Sequence, residues 1–239
     1  MCTLEKRGNL FILTFTGEDQ HRFNPNVIGS LLSLLSQIKA EATRGSALIT
    51  QAQGKFFSNG FDLDWAQAAG SEQGAAERLR QMVDLFKPVI AALLSLPMPT
   101  VAAITGHAAA GGFVLALSHD YLIMRKDRGV LYMSEVDIAL TIPDYFNALF
   151  REKIGDASVR RDFLLRGLKM KGDEAEKRGV VEAAYGGEAE VRQASVRLAE
   201  NLGRRKWHGE VYAEIRKGLH PQLSAILGLT HKAYSISRL

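Results

Sequence analysis

Strand-like and helix-like segments alternate from residue 10 to about residue 140, and this alternation restricts the fold more than any other property of the chain. Residues 10–15 (LFILTF) read as a buried strand, followed by strands at 47–52 (ALITQA), 100–105 and 121–125, and a short one at 130–133. Between the first two, Val27, Leu31, Leu34, Leu35 and Ile38 recur at helical spacing, with Asn26 as the expected N-cap. Leu79, Val83, Phe86, Ile90 and Leu94 mark a second helix that stops before Pro97 and Pro99. Strands alternating with helices build parallel βαβ units, so the fold class is α/β. After Pro143 the strand signals fade. Residues 145–236 are predicted mainly helical, with breaks at Gly167, Gly172, Gly179, Gly186, Gly187 and Pro221. Apolar positions there, among them Leu198, Leu202, Val211, Ile215 and Leu223, require cover from this chain's own core or from a neighbouring subunit.

A chain of 239 residues, 46% hydrophobic and 23% charged, makes one large domain or one domain with an appendage. The single cysteine, Cys2, excludes an intramolecular disulfide framework and is expected at a frayed terminus. No apolar run approaches the ~20 residues of a membrane span, and residues 1–11 lack the apolar stretch of a signal peptide. The 30 Lys and Arg against 26 Asp and Glu give a net charge of +4, but acidic residues sit among the basic ones and no aromatic-basic run appears. Nucleic acid is therefore not an expected partner. The six histidines show no paired metal-ligand spacing, so no metal site is expected, and His107 is read as structural. A Gly-x-Ser-x-Gly elbow, a dinucleotide fingerprint and a Walker-type loop are all missing from the sequence.

Backbone donors and carboxylates remain. Two Gly-bearing turns, FFSNGFDLDW (56–65) and ITGHAAAGGFVLAL (104–117), each precede an expected helix, the second beginning at about Gly112. Two N–H groups aimed from different loops at one carbonyl oxygen make an oxyanion hole. Asn59-Gly60 permits a sharp reversal that presents the N–H of Phe61, and the N–H of Gly111 faces outward near a helix start. On these residues alone, two ordinary strand-to-helix turns remain the alternative.

The same residues resemble the crotonase (enoyl-CoA hydratase/isomerase) superfamily. Residues 56–63 are similar to its F-x-A-G-x-D-[LI] turn, and 106–112 (GHAAAGG) to its G-x-x-x-G-G-G helix start, with Asp120 at the family's later Asp. LLRGLKMKGDEAEKRGVVEAAY resembles its L-T-G-x-x-[IL]-x-A-x-E-A-x-x-x-G-L-V region, so the matches cover residues 10 to about 185. The resemblance implies a crotonase-like spiral of repeated ββα units over residues 1–185, and a C-terminal helical region, 186–239, for cover or oligomerisation.

It also implies a site. The N–H groups of Phe61 and Gly111 would hold the thioester oxygen of an acyl-CoA. Ser58, Asn59, Gly60, Leu63, Ala110 and Gly112 are the loop residues implied to bind that substrate. Hydratases of the family use two glutamates. Here the first position is Val114, and the second is filled by Glu135 in SEVDIALTIP, whose spacing to Pro143 matches the E-T-Q-L-G-I-I-A-P pattern of the Δ3,Δ2-enoyl-CoA isomerase branch. One carboxylate suffices for an isomerase, because the group that removes the C2 proton returns it at C4. Asp137 and Asp144 are the competing carboxylates, and Leu131, Met133, Ile138, Phe146 and Phe150 are the apolar residues expected around Glu135. A hydratase or other crotonase enzyme, or a non-catalytic acyl-CoA-binding relative, is the alternative function. The resemblance further implies a homo-oligomer, trimer or hexamer, with no metal or redox cofactor, acyl-CoA being the substrate. The terminal Ser237, Arg238 and Leu239 form a conservative variant of the Ser-Lys-Leu peroxisomal address, so a peroxisomal location and an import receptor are expected.

Overall fold

The computed structural model describes residues 2–17 and 19–232. Ser237, Arg238 and Leu239, expected as a peroxisomal address, lie outside the described residues. The chain opens on a hairpin in which β1 (Cys2–Arg7) pairs antiparallel with β2 (Leu10–Phe15). Cys2 is thus not frayed: it stands opposite Phe15 in the ladder. β1 is polar because it is an edge strand, where Glu5, Lys6 and Arg7 face water and discourage further pairing. In α1 (Pro25–Ala40) the cap is Asn24 rather than the expected Asn26. The Asn24 side chain accepts from the N–H of Val27 at 3.1 Å. Pro25 takes the first helical position, where no N–H is needed.

A ββα pattern then repeats three times. The first unit is β3 (Ala47–Ala52), β4 (Phe56–Ser58) and the helices α2 (Leu63–Gln67) and α3 (Glu72–Leu94). The second is β5 (Thr100–Ile104), β6 (His107–Ala109) and α4 (Gly111–Leu117). The third is β7 (Tyr121–Arg125), β8 (Leu131–Tyr132) and α5 (Asp144–Lys153). In each unit the longer strand joins one sheet, ordered β1-β2-β3-β5-β7-β9, and the shorter strand joins a separate sheet, β4-β6-β8. α6 (Ala157–Arg166), α7 (Gly172–Lys177) and β9 (Ala183–Tyr185), the sixth strand of the larger sheet, complete this part. α8 (Glu188–Gly203), α9 (Gly209–Leu219) and α10 (Pro221–Ile226) follow.

Beyond the antiparallel hairpin, the larger sheet is parallel and buried on both faces, which explains its continuous apolar runs. Phe11, Leu13, Phe15, Leu48, Ala102 and Ile104 face the main core, while Leu10, Ile12, Ala47, Ile49, Val101 and Ala103 face the other side. α8 covers that second side with Val191, Ala194 and Ala199. The expected boundary at 185 therefore falls between β9 and a helix that seals the sheet. At the near end of each unit, where a long strand passes to a short one and then to a helix, the loops gather around one cavity.

Candidate active site

The first Gly-bearing turn is held by a segment almost forty residues upstream. Phe23 lies beside Phe61 in an isolated parallel bridge: its N–H donates to Gly60 O at 2.7 Å, and its carbonyl accepts from the N–H of Asp62 at 3.0 Å. The N–H of Asn59 donates to Gln20 O at 2.8 Å, and that of Gly60 to Ser58 Oγ at 3.2 Å. The neighbours of Phe61 are all engaged, and among the described residues no acceptor takes the N–H of Phe61 itself. Asp62 braces the loop: Oδ1 accepts from Trp65 N at 3.1 Å and Oδ2 from Asn24 Nδ2 at 3.3 Å.

The second turn packs against the first. A Cβ placed on Gly60 would stand 3.1 Å from Ala109 O, Ala110 Cβ and Gly111 N alike. Ala110, at the cap of α4, adopts φ +49° and ψ −123°, a conformation an L-residue rarely holds. Gly111 begins the helix, so its N–H has no intrahelical partner. A Cβ on Gly112 would fall well inside van der Waals contact with the carbonyl oxygen of Ser58, so glycine at 112 lets the two turns close.

Between the turns lies a cavity of about 310 Å³. Of the residues singled out from sequence, Asn59, Phe61, Leu63, Ala110 and Glu135 line it. Ser58, Gly60, Gly111 and Gly112 stand behind that lining and are buried, with Ser58 Oγ donating to His21 O at 2.8 Å. Arg22, Asp64, Gln67, Leu79, Ser134, Ile138 and Leu140 complete the walls. Most of these carry no sequence signal for the role. Arg22 sits in a polar connection, and only the fold brings its guanidinium to Asp64, while its bond to Gln20 is local.

Glu135 enters from the turn after β8, where Leu140 N–H donates to Glu135 O at 2.9 Å and closes the turn. Only 7% of the residue is exposed, and its Oε2 has no hydrogen-bond partner among the described residues. Burial pushes its carboxyl above the usual carboxylate range, partly offset by the N–H groups of Glu135 and Ser134. Leu131, Met133, Phe146 and Phe150 are buried, but Ile138 is half-exposed. The competing carboxylates lie elsewhere. Asp137 is exposed with its side chain against Gly167, and Asp144 is exposed at the start of α5. Val114 is wholly buried in the core. His107 lies in β6 with its ring against Phe56 and outside the cavity lining. Among the described residues no group of three metal-ligating side chains comes together, and no helix is long and apolar enough to cross a membrane.

Repeated ββα units closing two turns over one buried carboxylate define the crotonase class, and the chain belongs to the enoyl-CoA hydratase/isomerase family, whose model matches residues 6–230. Within that family it is 63% identical over 240 residues to the peroxisomal enoyl-CoA delta isomerase 2 of Arabidopsis thaliana, an alignment covering 100% of both chains. It is 47% identical over 221 residues to the peroxisomal enoyl-CoA delta isomerase 1 of the same plant, covering 92% of this chain and 89% of the relative. The fold is shared with a solved enoyl-CoA hydratase of Mycobacterium ulcerans at a TM-score of 0.83, with 19% identity over 95% of this chain and 94% of that one.

Proposed function

We propose that this protein is a peroxisomal enoyl-CoA delta isomerase, moving the double bond of a 3-enoyl-CoA to give 2-enoyl-CoA in the oxidation of unsaturated fatty acids. Its full-length similarity to the two Arabidopsis isomerases supports the activity and the location. The observation that carries the mechanism is the buried, half-unpartnered Glu135 facing the same cavity as the two turns. In this reading the N–H groups of Phe61 and Gly111 take the thioester oxygen, and the C2 proton becomes acidic because its loss leaves an enolate whose oxygen those donors stabilise. The Glu135 carboxylate takes that proton and delivers it to C4, leaving the double bond between C2 and C3. A carboxyl raised in pKa accepts and returns a proton with less difference in energy than an ordinary one. Hydration would need a second group to activate water, and Val114 offers none.

The chemistry asks for no metal or redox cofactor. Asn59, Leu63 and Ala110 are proposed to contact the acyl-CoA, with Ser58, Gly60 and Gly112 shaping the loops beneath it. Homo-oligomerisation is proposed through the C-terminal helices, since α9 exposes Ile215 and Leu219 beside a groove containing Trp207 and Val211. An import receptor is proposed to read Ser237, Arg238 and Leu239.

The deciding experiment is conversion of a 3-enoyl-CoA by the wild type beside Glu135→Gln. The variant should lose about 10²–10⁴-fold in kcat and still bind the CoA ester. Near-normal turnover would remove Glu135 from the mechanism, and 3-hydroxyacyl-CoA formed from 2-enoyl-CoA would make the protein a hydratase.

A further inference from the structure

The two sides of the cavity differ in kind. Its polar lining is tied together by bonds, Arg22 donating to Asp64 and to Gln20, and Asn59 donating to Gln20. The turn that carries Glu135 instead supplies Ile138 and Leu140. Hydrogen bonds from Ile138 N–H to the carbonyls of Ser134 and Glu135, at 3.2 and 3.3 Å, wind this turn so that Glu135 points inward while Ile138 stands at the opening. Ile138 is 46% exposed although it lines the cavity, and its neighbour Val136 is 48% exposed. The turn also rests on the end of α6, where the Asp137 carboxylate lies beside Gly167 and Leu165 is 70% exposed. Among the described residues six large apolar side chains are exposed, and two of them, Val136 and Ile138, lie on this one turn. Singly exposed apolar residues need no explanation, but a group at the rim of a binding cavity does.

We propose that Val136 and Ile138 form an apolar lip over which the distal acyl chain leaves the cavity, and that Ile138 thereby selects substrates with long acyl chains. The inference rests on the acyl-CoA reading above and names the class of chain that the site takes. An acyl group whose C2 lies at Glu135 meets the bonded polar groups on the Arg22 side and the apolar side chains of Ile138 and Leu140 on the other. Methylenes that reach the lip cover side chains otherwise open to water. Each added methylene raises kcat/KM by about fourfold if fully buried, the ratio that ~0.8 kcal/mol corresponds to, and by about twofold on a half-open lip.

The test compares kcat/KM for 3-hexenoyl-, 3-decenoyl- and 3-hexadecenoyl-CoA in the wild type, Ile138→Leu and Ile138→Asp, with the oligomeric state of each followed by size-exclusion chromatography. The wild type should rise along the series. Ile138→Asp should lower the hexadecenoyl-to-hexenoyl ratio by about tenfold, and Ile138→Leu should keep it within about twofold. Val136→Asp, at a position outside the cavity lining, should lower the same ratio less. A ratio unchanged in both aspartate variants would overturn the proposal. So would a change of oligomeric state with the ratio intact, which would assign the patch to a contact between copies. If the wild type isomerises none of the three esters, the isomerase reading itself fails; if it isomerises all three equally, only the lip does.

Discussion

Arg216 grips both carboxylate oxygens of Asp120, Nε to Oδ1 at 2.7 Å and Nη2 to Oδ2 at 2.6 Å. The same guanidinium donates to Leu96 O at 2.7 Å, and Asp120 accepts from Thr100 N at 3.0 Å and from Tyr212 Oη at 3.3 Å. One buried pair thus fastens α9 to the turn between α4 and β7, and the bond to Leu96 O ties the same guanidinium to the segment that joins α3 to β5. Burial alone would push the Asp120 carboxyl up, but the adjacent guanidinium, together with Lys153 and the Thr100 N–H, more than offsets it and holds the carboxyl below its usual range.

Removing one partner of a buried pair leaves the other as an uncompensated charge. Arg216→Met should therefore lose about 3–5 kcal/mol of stability, measured by urea unfolding, and the double variant Arg216→Met/Asp120→Leu should regain much of that loss. A single-variant loss below about 1 kcal/mol would mean that the pair behaves like one on the surface.

Adjacent glycines at the second turn should respond in opposite ways. The nearest atoms to a Cβ on Gly111 are Gly60 Cα and Phe23 Cδ2 at 3.6 Å, an ordinary contact, so Gly111→Ala should be neutral or gain up to about 1 kcal/mol from helix preference. Gly112→Ala drives a methyl into Ser58 O and should lose about 1–3 kcal/mol or more, with activity falling as the turns part. Thermal melts of the two variants decide it, and equal melting temperatures would contradict the packing described.

Glu135 makes stability depend on pH with a definite sign. Its folded pKa lies above the ordinary 4.5, so the folded chain holds the proton more tightly than the unfolded chain, and stability falls as pH rises from 4.5 through the folded value. Glu135→Gln should be more stable than the wild type at pH 7, on the order of 1 kcal/mol, the exchange of stability for function common at such sites. The gap should close below pH 4.5, where both folded and unfolded wild type are protonated. Unfolding curves at several pH values test this, and a gap that persists in acid would assign the difference to packing.

Legibility in the sequence followed burial. The strands Leu10–Phe15 and Ala47–Ala52 stood out because both their faces are covered and the runs are continuously apolar. β1 did not, since an edge strand whose exposed residues are charged carries no such run. β4 and β6, at three residues each, are too short for any periodicity, whereas the short strand expected at 130–133 is present as β8. The cap of α1 is Asn24 rather than the expected Asn26, because Pro25 already occupies the first helical position. Glu135 was found through its motif, whereas Arg22, Gln67 and Leu79 came to the cavity only through tertiary structure. The pairing of Arg216 with Asp120 spans 96 residues and leaves no local trace.

The bracket that Phe23 places around Phe61 separates two properties of one residue. The direction of the Phe61 N–H is set by hydrogen bonds on Gly60 and Asp62, while its ring packs among Phe23, Phe86 and Phe146. Backbone and side chain at position 61 are therefore independently adjustable. An engineer could exchange the ring to reshape the cavity and leave the amide where it is, a freedom that sites built from side-chain donors do not have.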